Sequence, residues 1–192
     1  MIAAIVLAGG DSTRMGRPKA LLKLAGTYFI DVILLNLHQT GYEKIIVVLG
    51  RQYKLIHDSM HFNKSYNCLQ NKHPEKGQLS SLQLALKQFG SEVAGTLVAL
   101  VDHPLVTKDT YRKMHDLAEK RPDSIIIPIF KGKRGHPVYF GCRYFGELLQ
   151  APLELGARYV LNNYNSEILE IPVEDRGVVK DIDTPEEYNN IK

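Results

Sequence analysis

The sequence of 192 residues contains no tryptophan and only two cysteines, Cys68 and Cys142. The two cysteines form no Cys-x-x-Cys pair, and two thiols in a chain of this length do not make a disulfide framework. Proteins of reducing compartments have this pattern of cysteine usage. We therefore expect a cytoplasmic protein.

The sequence also lacks a long hydrophobic run. The longest candidate, residues 28–37, is interrupted by Asp31 and Asn36, whereas a membrane-spanning helix needs about 20 consecutive apolar residues. The apolar segment at residues 2–8 has no basic segment before it and no cleavage site after it, so we interpret it as a buried strand. We expect no membrane partner.

Neither sign of charge is in large excess. The 24 lysines and arginines are scattered along the chain and exceed the 21 acidic residues only slightly, which gives a net charge of +3. A nucleic-acid-binding domain typically concentrates its basic residues on one face. We therefore expect no nucleic-acid partner. Hydrophobic residues make up 44% of the composition and charged residues 23%, values typical of a soluble globular domain.

Short runs rich in β-branched residues alternate with longer segments of helical spacing. The runs lie at residues 2–7, 44–49, 96–101 and 124–129. Between them, apolar residues recur at the three- and four-residue spacing that puts them on one face of a helix. This alternation predicts an α/β fold with three layers, in which helices cover both faces of a mostly parallel, Rossmann-like sheet.

The chain beyond residue 129 is less regular. It has a basic turn at residues 131–134, an extended segment at 136–140 and one or two short helices. We predict strands near residues 167–171 and 178–182, followed by a helix that begins at the capping box Thr184-Pro185-Glu186-Glu187. No linker is long enough to separate two domains. We therefore predict a single domain over residues 1–192.

The most distinctive motif is LAGGDSTRMGRPK at residues 7–19. It directly follows the first predicted strand, at the edge of a parallel sheet where ligands bind. Its glycines allow the backbone to approach anionic oxygens closely, and Arg14 and Lys19 supply positive charge. The motif has neither the Gly-Lys-Ser/Thr of a P-loop nor the glycine order of a dinucleotide-binding fold. It predicts a triphosphate site, with a solvated surface turn as the alternative.

Two acidic motifs suggest a metal site. Asp102 lies at the end of an apolar strand, in VDHP, and therefore at the same edge of the sheet. Asp181 and Asp183, in DIDTP, would project from one face if that segment is extended. Magnesium prefers such oxygen ligands and commonly takes only one or two from the protein. Asp102 and Asp183 are therefore candidate ligands of Mg²⁺, with a turn or helix-cap role as the alternative for each.

Taken together, these motifs resemble the signature of the nucleotidyltransferases of GT-A-like fold, especially the molybdenum cofactor cytidylyltransferase family. The resemblance covers nearly the whole chain and includes GQLSSL at residues 77–82, RGHPV at 134–138 and DIDTPEEY at 181–188. It implies an Mg²⁺-dependent enzyme that transfers CMP from CTP to molybdopterin and releases pyrophosphate. It also implies that residues up to about 105 bind the nucleotide and that the remainder bind the acceptor.

The resemblance assigns roles to individual residues. Arg14, Lys19 and Asp102 would be catalytic, and Asp102 and Asp183 would hold the metal. His136 and Asp181 would contact the acceptor, although a histidine before a strand proline is as often a structural hydrogen-bonding group. The nucleotide-binding residues would be Leu7, Ala8, Gly9, Gly10, Arg14, Lys19, Gly77 and Ser81.

The sequence leaves three alternatives open. LAGG is typical of the related guanylyltransferases, so GTP is the alternative to CTP, while GQLSSL, RGHPV and DIDTP favour the cytidylyl branch. A sugar-phosphate nucleotidyltransferase would share the first loop and Asp102 but need a different acceptor half. A maturation chaperone would bind the same ligands without turnover. If the chain is an enzyme, we expect a transient contact with the molybdoenzyme that receives the product, or with its chaperone.

Overall fold

A computed structural model of the chain describes residues 1–10 and 15–191. Within these residues, eight strands form one sheet in the order β10-β7-β9-β6-β1-β4-β5, and β8 pairs with β7 outside this path. A separate two-stranded ribbon is formed by β2 and β3. The strands are β1 (Ile2–Ala8), β2 (Lys23–Leu24), β3 (Thr27–Tyr28), β4 (Lys44–Leu49), β5 (Asn67–Gln70), β6 (Gly95–Leu100), β7 (Ile125–Phe130), β8 (Lys133–Arg134), β9 (Val138–Gly141) and β10 (Ile168–Pro172).

The central strands are parallel. The pairs β1–β4, β1–β6, β4–β5 and β7–β10 run in the same direction, whereas β9 is inserted antiparallel between β6 and β7. The carboxyl ends of β1, β4, β5 and β6 therefore meet at one edge of the sheet, where parallel α/β folds bind ligands. The loops that follow these four strands contain Gly9, Gly50, Asn71 and Asp102.

Helices cover both faces of the sheet. They are α1 (Phe29–Gln39), α2 (Tyr53–Ser59), α3 (Gln78–Leu86), α4 (Lys108–Lys120), α5 (Phe145–Gln150), α6 (Arg158–Asn163) and α7 (Pro185–Asn189). Side chains of β1 alternate between two cores, because successive residues of a strand point to opposite faces. Val6 packs in the core that α1 and α4 cover, and Leu7 packs in the core of α3, α5 and α6. The predicted three-layer α/β fold is confirmed.

Side-chain caps mark the starts of α4 and α7, and the cap of α7 confirms the helix start predicted at Thr184. At the start of α4, the Thr107 hydroxyl accepts a hydrogen bond from the Thr110 backbone at 3.4 Å. At the start of α7, Thr184 and Glu187 form the complete capping box, with Pro185 at the first helical position. No helix in residues 1–10 and 15–191 is long and apolar enough to cross a membrane.

The prediction of a strand at residues 178–182 is wrong. A 3-10 turn occupies Arg176–Val179, and no regular element follows until α7. The Asp175 carboxylate caps this turn by accepting a hydrogen bond from the Gly177 backbone at 2.8 Å. The segment then pairs with a loop instead of a strand, since the Ile182 backbone donates to the Asp102 carbonyl at 2.8 Å. The β-branched residues of this segment, Val178, Val179 and Ile182, therefore lie without a sheet partner.

Candidate functional site

The carboxyl ends of β1 and β6 border a cavity of about 420 Å³, which we call the first cavity. Nine residues singled out from the sequence line it, although they come from four separate stretches of the chain. Arg14 belongs to the same predicted set but lies outside the described residues. The nine are Leu7, Ala8, Gly9, Gly10, Lys19, Gly77, Ser81, Asp102 and Asp183.

Glycines allow the backbone segments on one side of the first cavity to pack closely. A Cβ atom on Gly50 would lie 2.3 Å from the Gly9 carbonyl oxygen, so position 50 has no room for a side chain. A Cβ atom on Gly9 would lie 3.1 Å from the Ser81 hydroxyl. Gly77 has a φ of +87° just before α3, a conformation that favours glycine. Backbone segments therefore approach one another closely on this side of the cavity.

Lys19 joins the two predicted metal ligands. Its ammonium group forms an ion pair with Asp183 and lies 3.5 Å from Asp102 Oδ2. The three side chains are 13%, 28% and 27% exposed, respectively. Asp102 follows β6 and Asp183 precedes α7, and the hydrogen bond from Ile182 to the Asp102 carbonyl holds the two segments together. The fold thus brings three residues of distant motifs to one point.

The two carboxylates fit a divalent metal ion. Asp102 Oδ1 is buried and has no hydrogen-bond partner among the described residues, and His103 Nε2 lies 3.9 Å away from it. A buried carboxylate oxygen without a partner is costly unless a cation or a donor compensates it. Carboxylate oxygens are the ligands that Mg²⁺ prefers. Asp102 and Asp183 together supply such oxygens at the mouth of the first cavity.

A second cavity, of about 870 Å³, lies on the other side of Asp102. The two cavities share Leu7, Gln78, Leu100 and Asp102, so they meet at the end of β6. The predicted acceptor residues His136 and Asp181 line only the second cavity. Its walls are apolar at Leu79, Leu82, Val138, Phe140 and Leu161, and basic at Lys133, Arg134 and Arg158.

His136 lies at the junction of β9 with the 3-10 turn. Its backbone N–H donates to the Val178 carbonyl at 2.8 Å, and its ring centroid lies 5.0 Å from that of His103. Burial, with smaller contributions from the neighbouring His103 and Arg158, lowers the pKa of His136 to about 4. The ring is therefore neutral at pH 7, and its Nδ1 atom is buried without a hydrogen-bond partner in the described part of the chain.

Asn71, which is 6% exposed, is a residue of this site that was not predicted from the sequence. Its side-chain amide donates to the hydroxyls of Ser80 and Ser81, both at 2.9 Å, and its carbonyl accepts from the His73 backbone at 2.8 Å. Asn71 directly follows β5 at the ligand-binding edge of the sheet. That position was the signal in the sequence that could have identified it.

Asp175 was also missed, and the sequence gives no signal for its role. Its carboxylate accepts hydrogen bonds from the Thr107 backbone at 2.8 Å, the Thr107 hydroxyl at 2.9 Å and the Thr110 hydroxyl at 2.7 Å. It also accepts the hydrogen bond from Gly177. These contacts join the start of α4 to the turn that borders the second cavity. The threonines lie more than 60 residues away along the chain.

Known proteins resemble this chain along its whole length. The family model of the MobA-like NTP transferase domain matches residues 4–168. The molybdenum cofactor cytidylyltransferase of Escherichia coli (strain K12) is 27% identical over 194 aligned positions, which cover 100% of this chain and 95% of that protein. The purine catabolism protein PucB of Bacillus subtilis (strain 168) is 27% identical over 201 positions, 100% and 96% of the two chains.

A solved structure supports the same fold. The crystal structure of Rv0371c from Mycobacterium tuberculosis H37Rv matches with a TM-score of 0.83 and 27% identity, over 99% of this chain and 96% of that one. A second structure of Rv0371c, a complex with manganese, matches with a TM-score of 0.75 and 24% identity, over 99% and 97%.

Proposed function

We propose, since this chain belongs to the MobA-like NTP transferase family, that it transfers CMP from CTP to molybdopterin and releases pyrophosphate. The chain is a nucleotidyltransferase related to the molybdenum cofactor cytidylyltransferases. The observation that carries the finer proposal is the meeting of two cavities at Asp102. A transferase must hold a donor and an acceptor side by side, with the reacting atoms at their boundary.

The two cavities suit different ligands. In the proposed arrangement, the first cavity takes the nucleotide, with Lys19 next to its phosphates and with Gly9 and Ser81 next to its base. The second cavity, with its apolar walls and basic rim, takes an acceptor that combines a ring system with a phosphate group. Residues 1 to about 105 would then form most of the nucleotide half, and the remainder most of the acceptor half. Molybdopterin has the required combination of groups.

Asp102 and Asp183 would hold a divalent metal, which we propose to be Mg²⁺. Such an ion supplies positive charge that stabilises the negative charge developing on the phosphate oxygens. The fit of the two carboxylates supports this, because Asp102 Oδ1 is buried and lacks a hydrogen-bond partner among the described residues. The manganese complex of Rv0371c supports a divalent ion in general.

The reaction requires alignment more than acid–base chemistry. A phosphate oxygen of the acceptor attacks the α-phosphorus of CTP, and the bond from that phosphorus to the pyrophosphate oxygen breaks in line. A phosphate monoester has a second pKa of about 6, so it is mostly dianionic at pH 7 and no base has to remove a proton. Lys19 would orient the donor phosphates, together with Arg14. His136, neutral at pH 7, would orient the acceptor by hydrogen bonding.

The experiment is a matrix of the four NTPs against molybdopterin and glucose 1-phosphate, read as pyrophosphate release. We expect release only with CTP and molybdopterin, and mass spectrometry should then identify molybdopterin cytosine dinucleotide. The Asp102→Asn variant is the control for contaminating activity. Release with GTP would reassign the base, and release with the sugar phosphate would reassign the acceptor. Binding without release would favour a chaperone that hands the cofactor to a cytoplasmic molybdoenzyme.

A further inference from the structure

The orientation of the Asn71 side chain is fixed by its neighbours. The backbone N–H of His73 can only donate a hydrogen bond, so the Asn71 carbonyl oxygen must be the atom 2.8 Å away from it. The amide nitrogen must therefore face the hydroxyls of Ser80 and Ser81, each at 2.9 Å. The Asn71 backbone N–H is also used, since it donates to the Leu49 carbonyl at 2.8 Å. Asn71 thus presents only donors to the two serines.

Ser81 lies between Asn71 and the first cavity. It is 3% exposed, lines that cavity, and accepts a hydrogen bond from the Asn71 amide. In residues 1–10 and 15–191, the structure shows no protein acceptor for the Ser81 hydroxyl proton. A serine hydroxyl has one proton to donate, and a buried donor without an acceptor is costly. A ligand in the first cavity can supply that acceptor.

Ser80 differs from Ser81 in one informative way. It accepts from the same Asn71 amide, but its own proton is donated to the Gly77 carbonyl at 2.7 Å. Its side chain is not part of the wall of either described cavity. The same amide therefore holds one serine that is satisfied within the protein and one whose proton remains for a ligand.

We propose that Asn71 is a positioning residue that holds Ser81 as a hydrogen-bond donor toward the nucleotide base. The first cavity then favours a base that presents an acceptor at this point, as O2 and N3 of cytosine do. A base with a donor there would place that donor opposite the Ser81 hydroxyl proton, and both donors would then lack an acceptor. This inference rests on the proposed function and adds the residue that sets the direction of one of its recognition hydrogen bonds.

The test is calorimetric binding of non-hydrolysable α,β-methylene analogues of the four NTPs, so that no acceptor substrate is needed. With the analogue that binds the wild type most tightly, Ser81→Ala should weaken binding roughly threefold to tenfold, the usual contribution of one hydrogen bond. Asn71→Asp should weaken it at least as much, because a carboxylate accepts the Ser81 proton and turns it away from the ligand. Ser80→Ala is the matched control and should leave the affinity unchanged.

A double variant separates positioning from a general effect on the fold. If Asn71 acts through Ser81, then Asn71→Asp should cost little further affinity in a Ser81→Ala background, and the two effects should be clearly non-additive. In turnover assays, Asn71→Asp should raise the KM for the nucleotide and leave kcat and the acceptor KM unchanged. Additive losses, or an equal loss in Ser80→Ala, would overturn the inference.

The outcome also separates this inference from the proposed function. If the wild type binds none of the four analogues, then both the inference and the proposed function fail. If the wild type binds one analogue and Asn71→Asp binds it equally well, then only the role of Asn71 is refuted. A loss of affinity in Asn71→Asp with an unchanged melting temperature supports the inference directly.

Discussion

The two cavities that meet at Asp102 are built in different ways. The first is lined by the glycine loop after β1, where Gly9 packs against Gly50, and by the start of α3. The second is about twice as large and is lined by residues of β8, β9, α6 and the turn after Asp175. A wall that includes a glycine loop can be recognised in the sequence as a compact glycine motif. A wall made of side chains depends on segments that only the fold brings together.

The largest loss of activity should come from substitution of the two proposed metal ligands, one of which, Asp102, lines both cavities. We expect Asp102→Asn and Asp183→Asn each to reduce kcat at least tenfold, because each removes a charged oxygen from the proposed metal site. Pyrophosphate release at saturating substrates measures this, with circular dichroism to check the fold. Asp58→Asn, on an exposed side chain that lines neither cavity, is the control. Wild-type turnover in either variant would remove that residue from the metal site.

The next largest effect should be a change in the KM of one substrate only, which would show that the two cavities bind different substrates. Lys19 lines only the first cavity, so Lys19→Ala should raise the KM for the NTP roughly tenfold or more while changing the acceptor KM much less. Lys133 lines only the second cavity and is exposed. Lys133→Ala is therefore the corresponding substitution in the second cavity and should raise the acceptor KM alone. Equal changes in both KM values for either variant would mean that the two cavities do not bind separate substrates.

This contrast explains what the sequence could predict. The mostly parallel sheet, its helices and the glycine loop of the first cavity all follow from local patterns, namely β-branched runs, helical spacing and one glycine motif at a strand end. Asp102 could be predicted for the same reason, because it lies just after the end of a strand. The ion pair between Lys19 and Asp183 could not be predicted in this way, since 164 residues separate them.

The acceptor half was less predictable because its elements are held by distant side-chain contacts. The segment at residues 178–182 is rich in the β-branched residues typical of a strand, yet the four hydrogen bonds to Asp175 stabilise a 3-10 turn at its start. Gly177 reinforces this, since a Cβ atom there would lie 2.3 Å from the Leu105 carbonyl oxygen. No local pattern encodes the approach of residue 105 to residue 177. The partners of a buried carboxylate become visible only in the folded chain.

His136 gives a test of the second cavity that does not depend on activity. Its pKa is lowered from 6.5 to about 4 in the folded protein, so between these values the unfolded chain binds more protons than the folded chain. The free energy of unfolding must therefore fall as the pH drops from 6.5 toward 4, by on the order of 2 kcal/mol for this group. His136→Gln should remove that part of the pH dependence, as measured by urea unfolding at pH 7 and about pH 4.5.

The exposed His57 is the matched control for this experiment. Its side chain is 43% exposed, and His57→Gln should leave the wild-type pH dependence in place. If His136→Gln and the wild type lose the same free energy of unfolding between the two pH values, the ring is not buried in its neutral form. The second cavity would then be more open to water near β9 than the structure indicates.

The smallest effect should come from a single methyl group added to the glycine loop of the first cavity. A Cβ atom on Gly9 would lie 3.1 Å from the Ser81 hydroxyl and 3.8 Å from the Gly50 nitrogen, so Ser81 must shift by a few tenths of an ångström. A pyrimidine leaves more room here than a purine. We therefore expect Gly9→Ala to lower kcat/KM for CTP by less than about threefold, within the range of one weakened hydrogen bond, and to reduce any use of GTP more strongly.

The neighbouring glycine makes this last prediction specific. A Cβ atom on Gly10 has no heavy atom of the described residues within 4 Å, so Gly10→Ala adds the same methyl group without touching Ser81. Steady-state kinetics with CTP and GTP on both variants measure the difference. If Gly9→Ala impairs CTP more than GTP, then the methyl group meets the base from another side. The cytidylyl assignment would then have to be withdrawn, while the nucleotidyltransferase function would stand.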